Sequence, residues 1–220
     1  DGKPVSVIWK DSVRSYIMRK LNTTLAEYKK ESTVEKANNI TALVELLNYG
    51  AMAQKNFKHN ITDLANSELT AEHLSFASAA QTQANLLERD SDYCYDTGVS
   101  LESRLQFRFL FKTKSLTNVS YAIVSHKSHN DPDGEMVETR YEREEFGFFS
   151  NPLVYVPVET LAAADGDQII TCTLYDKDGN VITTAVDSMN SYLSRKQGAT
   201  EDIYSATLKY TRACFAYFHP

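Results

Sequence analysis

In RLQFRFLF (residues 104–111) every second side chain, from Leu105 to Phe111, is large and apolar. Successive side chains of a strand point to opposite faces, so Leu105, Phe107, Phe109 and Phe111 share one face. Arg104, Gln106 and Arg108 share the other, and the period is that of a strand with a buried side. Outward from this stretch run more short β-rich segments. They are GVSLES (98–103), NVSYAIVS (118–125), EMVETRYER (135–143), EFGFF (145–149), LVYVPV (153–158), QIITCTLY (168–175) and NVITTAV (180–186). DPDG (131–134) and DKDGN (176–180) punctuate them as turns, and VETLAAADGD (158–167) reads as one helical turn crossing between sheets. Short strands at this spacing indicate an antiparallel β-sandwich over residues 97–186.

The two ends of the chain resemble each other. In DSVRSYIMRKL (11–21) and DSMNSYLSRKQ (187–197), Asp11, Ser12, Ser15, Tyr16, Arg19 and Lys20 recur as Asp187, Ser188, Ser191, Tyr192, Arg195 and Lys196. Asp and Ser at the front supply N-cap oxygens for unpaired first-turn amides. Positions 13, 16, 17 and 20 then fall on one helical face. Each copy is expected to show a Tyr and an aliphatic residue to a core, and the two to be buried in equivalent ways. Upstream, DGKPVSVIW (1–9) parallels DGNVITTAV (178–186) as a strand. Downstream, ITALVELLNYGAMAQKNF (40–57) parallels IYSATLKYTRACFAYF (203–218) as a long, broadly apolar helix. The intervening NTTLAEYKKESTVEKANN (22–39) reads as a solvated helical turn or mobile segment, against GATED (198–202) in the second copy. Residues 58–96 read as a polar loop with a short helix near Thr70–Phe76.

The expected fold is therefore α+β: an antiparallel β-sandwich flanked by two related helical hairpins. Residues 1–96 form the first repeat copy with its connecting loop, and residues 97–220 form the sandwich with the second copy. Two constructions fit. Either residues 1–58 are the tail of a preceding unit, or strand 1–9 joins the same sandwich and both hairpins pack on it.

A formal charge of −6 provides no basic face for phosphate neutralisation, so a nucleic-acid partner is not expected. No run approaches the ~18 apolar residues of a membrane span. Cys94, Cys172 and Cys214 are three and widely spaced, with no CxxC. They read as buried small hydrophobes, with one disulfide plus a free thiol as the alternative.

Candidate chemistry is thin. His126, His129, Asp131, Asp133 and Glu135 cluster in SHKSHNDPDGE (125–135), residue types that bind zinc when they converge, though here they sit on an expected hairpin turn. Asp176, Asp178 and Asn180 hold positions 1, 3 and 5 of a calcium-type loop with Asp187 at position 12. Val181 stands where such a loop needs glycine, so a hairpin turn is the simpler reading. Trp9, with Tyr93 and Tyr95 in DYCYD (92–96), are candidates for a sugar-stacking platform, against a role in the core. No Gly-x-Ser-x-Gly, Gly-x-Gly-x-x-Gly or phosphate-loop pattern occurs. A thiol–histidine pair drawing on His59, His73 or His219 has no local signature. No cofactor is expected, and catalysis is not.

LVELLNYGAMAQKNFKHNITDLANSEL (43–69) carries a more specific pattern. Leu47, Asn48, Tyr49, Gly50, Ala53, Gln54, Phe57, Asp63, Leu64, Ala65 and Asn66 resemble a module of extracellular, cell-wall-associated repeat proteins of anaerobic gut Firmicutes. There a Leu-Asn-Tyr-Gly-x-x-Ala-Gln helix is followed by an aromatic and an Asx-Leu-Ala-Asn segment. The second copy departs from it at Thr211 and Arg212. The resemblance implies a secreted, surface-attached protein whose partners are cell-surface polysaccharide or neighbouring modules, and it brings no catalytic residues. The functional expectation is a non-catalytic structural, spacer or adhesion module. The alternatives are a carbohydrate-binding module and a hydrolase with an unsigned site.

Overall fold

The computed structural model describes residues 12–101, 105–131, 133–159 and 161–220. The strand expected over 1–9, with Trp9, and the positions Asp11 and Arg104 lie outside them. The chain divides into two compact units, one ending at Ala77 and the other running from Ser78 to His219.

The first unit is a helical hairpin with a folded-back tail: α1 (Val13–Lys30), α2 (Val34–Phe57) and the short α3 (Ala71–Leu74). The segment 22–39, expected to be a solvated turn or mobile, is helical nearly throughout. Leu21 and Leu25 continue the i, i+4 stripe begun by Ile17, so α1 keeps burying one face against Ile40, Val44 and Leu47 of α2. Only Glu31–Thr33 turn the chain, and the Thr33 hydroxyl accepts from the Lys36 N–H at 3.3 Å to start α2. α2 stops at Lys58, which takes left-handed φ = 54°. The tail then lies back on the hairpin. The Gln54 amide donates to the carbonyls of Asn60 (3.2 Å) and Asp63 (3.0 Å) and accepts from the Ala65 N–H (2.6 Å). Arg14 pairs with Asp63 and, at 3.1 Å, with Glu68. Phe76 meets Tyr28 edge-on at 5.2 Å. At Gly50 the tail approaches closely: a Cβ there would stand 3.0 Å from the Ala65 methyl, which would have to give by a few tenths of an ångström.

The second unit is the sandwich. Its strands are β1 (Cys94–Ser100), β2 (Gln106–Lys112), β3 (Tyr121–His126), β4 (Val137–Glu142), β5 (Gly147–Ser150), β6 (Leu153–Val158), β7 (Ile170–Tyr175) and β8 (Val181–Asp187). They form two four-stranded sheets, ordered β1-β2-β6-β5 and β4-β3-β7-β8, with every neighbouring pair antiparallel. The alternation in 104–111 has the expected consequence: Phe107, Phe109 and Phe111 are fully buried. They share one cluster with Ala122 and Val124 of β3, Ile170, Cys172 and Leu174 of β7, and Val156 of β6. β2 lies between β1 and β6, and its other face is covered too, with Gln106 and Leu110 buried and the Arg108 guanidinium 4.3 Å over the Tyr155 ring. α4 (Met189–Lys196) and α5 (Ile203–Phe218) close the unit. α4 packs on β1, and α5 packs on a 3-10 turn at Ala163–Asp165. The fold is thus α+β, two antiparallel sheets face to face with helical hairpins.

The hairpins start alike. Ser12 accepts from the Ser15 N–H at 3.0 Å, and Ser188 from the Ser191 N–H at 3.1 Å. Arg19 and Lys20 lie over the Tyr16 ring at 5.9 and 6.0 Å, and Arg195 and Lys196 over Tyr192 at 5.8 and 5.5 Å. The expectation of equivalent burial is corrected, however. Tyr192 is 8% exposed and Met189 0%, whereas Tyr16 is 52% exposed and Val13 78%. The local code is shared, and within the second unit α4 has the edge strand β1 against it.

Candidate functional site

The densest polar arrangement is built on α4. Arg195 grips the fully buried Asp187 carboxylate with both ends of its fork, Nη1 to Oδ1 at 3.1 Å and Nη2 to Oδ2 at 2.7 Å. The Thr97 hydroxyl of β1 donates to the same carboxylate at 2.5 Å, and Arg195 reaches Thr97 at 3.0 Å and Ser191 at 2.6 Å. Lys196 pairs with Asp96 at 3.1 Å. One cluster therefore joins the end of β8, the edge strand β1 and α4 from Ser191 to its last turn at Arg195 and Lys196.

An extended strap, residues 81–88, lies across the same helix. Its backbone N–H groups donate to α4 hydroxyls, Gln83 to Ser194 at 2.8 Å and Leu86 to Ser191 at 2.9 Å. The Gln83 side chain donates to Ser188 at 3.3 Å, and Glu88 exchanges two backbone bonds with Val186 of β8. The sequence reads residues 58–96 as a polar loop with a short helix near Thr70–Phe76; the helix is there as α3, and the strap is not foreseen. The strap's role escaped because hydroxyls 105 to 111 positions away satisfy its backbone. The one available signal was the recurrence of serine at 188 and 191.

The metal candidates do not converge. His126 and His129 are buried rather than solvated, while Asp131 and Asp133 are exposed. His126 Nδ1 lies 2.8 Å from the Lys127 carbonyl. His129 is held by Asp165, which accepts its backbone N–H at 2.6 Å and faces its Nδ1 at 2.7 Å, with its other oxygen accepting from the Ala162 N–H. The His129 ring packs 5.3 Å from Phe218 and 6.1 Å from His219. A histidine oriented by a buried carboxylate is half of an acid–base relay, and the rings that pack beside it are those of Phe218 and His219. Among the described residues, no three His, Cys, Asp or Glu side chains form a metal-binding group.

The 176–180 segment is a turn held by its own carboxylate. Asp176 Oδ1 accepts from the Asp178 and Asn180 N–H groups at 2.9 and 2.8 Å, Oδ2 accepts from the Asn180 amide at 2.9 Å, and Gly179 takes φ = 83°. The Asn180 side chain, then its backbone, holds the Asp176 carboxyl below the ordinary carboxylate range. The folded value being the lower one, the turn's stabilisation is present above the unfolded value of about 3.9 and lost as pH falls through the folded one. The Asn180 amide resonances are accordingly expected to hold steady from neutral pH to about 5 and to move only below about 4. An NMR titration checks this, and movement at neutral pH on adding calcium would instead revive the cation loop.

Tyr95 sits at a register break in β1, half exposed, and Tyr93 is partly buried beside it. A ring pair that the sequence did not suggest is Tyr121 on Tyr175, parallel within 8° at 4.9 Å, with Arg140 stacked 3.5 Å over Tyr121. These rings cover each other's faces. An open depression of about 350 Å³ lies nearby, lined by Thr117–Ser120 and Asp176–Asp178. All three cysteines are free. Burial pushes the Cys94 thiol up to about 12 and raises Cys172 well above the ordinary range, opposite to what a nucleophile needs. Burial also raises Cys214. Among the described residues, no helix is long and apolar enough to cross a membrane.

No family model, no curated protein and no solved structure matches this chain.

Proposed function

We propose that the chain is a non-catalytic structural or adhesive module of a secreted, surface-attached protein. One observation supports this above the rest: the polar side chains that recur between the two hairpins serve, in the second, to lock helix to strand and strap. Asp187, Ser188, Ser191, Arg195 and Lys196 all bond elements of the fold to one another. Polar groups used this way fix the relation of one element to the next, which is the task of a spacer. The His129–Asp165 pair and the Asp176 turn serve local structure in the same manner.

The carbohydrate-binding alternative draws on Tyr95, a half-exposed ring at an edge-strand irregularity, where bulges commonly re-aim side chains. The test is a screen of the intact chain against immobilised glycans, with chromogenic glycoside, ester and peptide substrates in parallel. Neither retention nor turnover is expected. Saturable glycan binding that disappears in Tyr95→Ala would replace the spacer reading by the carbohydrate one. Turnover that disappears in His129→Ala would replace it by a hydrolase.

A further inference from the structure

The identities between the two hairpins are not spread evenly over the helix. In the second copy, Ser188 and Ser191 receive the strap, and Arg195 and Lys196 hold Thr97 and Asp96 of β1. Tyr192 is buried on the same side, close enough to Asp96 for that charge to raise its hydroxyl pKa after burial has done so. Of the positions that differ, Ser194 also binds the strap and has the buried Met18 as its counterpart, while position 190 faces different neighbours in the two copies. Asn190 accepts from Thr211 at 2.7 Å and its backbone N–H bonds the Gly166 carbonyl, whereas its counterpart Arg14 pairs with Asp63 and Glu68 of the tail. The shared Ser188, Ser191, Arg195 and Lys196 thus all bind, in one copy, a sheet edge or its strap, which Ser194 and Gln197 hold as well. In the other copy Ser12, Ser15, Tyr16 and Lys20 are exposed.

We infer that this face of α1 is a docking surface for a β-sandwich edge of the kind β1 and the 81–88 strap present. The occupant must carry a carboxylate where Asp96 lies, to meet the Lys20 ammonium. It must offer an extended segment whose backbone N–H reaches the Ser15 hydroxyl, as Leu86 reaches Ser191, and an apolar recess for Tyr16 and Val13. β1 of this chain already holds α4, so the edge is that of another sandwich of the same type. The inference rests on the modular reading above and names the neighbour that such a module binds.

The test is a tandem chain in which residues 78–187 run directly into Ser12–Pro220, so that Ser12 takes the place of Ser188. Val13→Cys, in a Cys214→Ser background, reports the face by its rate of maleimide labelling, with the 1–220 chain as reference. Labelling in the tandem chain is expected to be slower by roughly tenfold or more, because a docked face reacts only on local opening. Lys20→Glu in the tandem chain, which places like charges together, is expected to restore the rate. Hydrogen exchange in the added copies of β2 and β7 reports separately whether the added sandwich has folded. A folded added sandwich with unslowed labelling overturns the inference. So does an added sandwich that stays unprotected, since α1 would then have failed to do what α4 does. Either result leaves the glycan and turnover screens untouched, so loss of this inference is distinguishable from loss of the spacer reading.

Discussion

Replacing Arg195 by methionine is expected to cost about 3 kcal/mol of stability, near the lower end of what removing one partner of a buried ion pair costs. Asp187 has no exposed surface, and in Arg195→Met it would keep the Thr97 hydroxyl but lose its counter-charge. The Arg195 side chain is 19% exposed, which sets the expectation at the lower end rather than the upper. Arg195→Lys keeps the charge and loses the fork that spans Asp187, Thr97 and Ser191, so it should fall between. Asp187→Asn combined with Arg195→Met removes both charges and should be milder than the sum of the two single changes. Urea unfolding followed by circular dichroism measures all four proteins. A loss below about 1 kcal/mol for Arg195→Met would mean that the cluster is solvated and behaves as a surface pair.

The sandwich was legible because strand periodicity is a local signal. A face packed on the core calls for a large apolar residue at every second position, so 104–111 declared its inner face and the turns at 131–134 and 176–180 bounded their neighbours. What alternation does not carry is which sheet each strand joins. The order β1-β2-β6-β5 against β4-β3-β7-β8 depends on which faces meet, and that is a property of pairs far apart in sequence. The error over residues 22–39 had a different source. Lys and Glu there suggested solvent, but a helix lying on one neighbour has a wide polar face, and Leu21 and Leu25 already carried the buried stripe.

The repeat was legible as letters, and its geometry at the helix start follows from those letters alone. A serine N-cap and an aromatic with Arg and Lys three and four residues on are local devices, and both copies show them. Burial is not local. Tyr16 and Tyr192 have the same neighbours in sequence and different ones in space, so no pattern within eleven residues could separate them. The buried histidines teach the same lesson from the other side. SHKSHNDPDGE has the composition of a solvated turn, yet His129 is drawn inward by Asp165, 36 residues away, which accepts its backbone N–H and faces its ring Nδ1.

Truncating Phe109 to alanine is expected to destabilise the sandwich by about 3–5 kcal/mol, the cost of removing a buried aromatic and leaving its cavity. Phe109 is fully buried, meets Phe107 edge-on at 5.4 Å, and lies between Thr97 of β1 and Val156 of β6 in register. Its cluster spans both sheets and includes Met189 and Leu193 of α4 and Leu208 of α5. Because one core serves the sheets and the hairpin together, the loss should appear as a uniform drop in protection and not as local fraying. Amide exchange at Ala122 of β3 and Cys172 of β7, on the opposite sheet, should accelerate as much as exchange at Leu110 beside the substitution. Phe109→Leu keeps most of the volume and should recover more than half of the loss. If exchange rises only in β1 and β2 while β3 and β7 keep their protection, the two sheets do not share a cooperative core, and the recurrent hairpin would then be anchored to β1 alone.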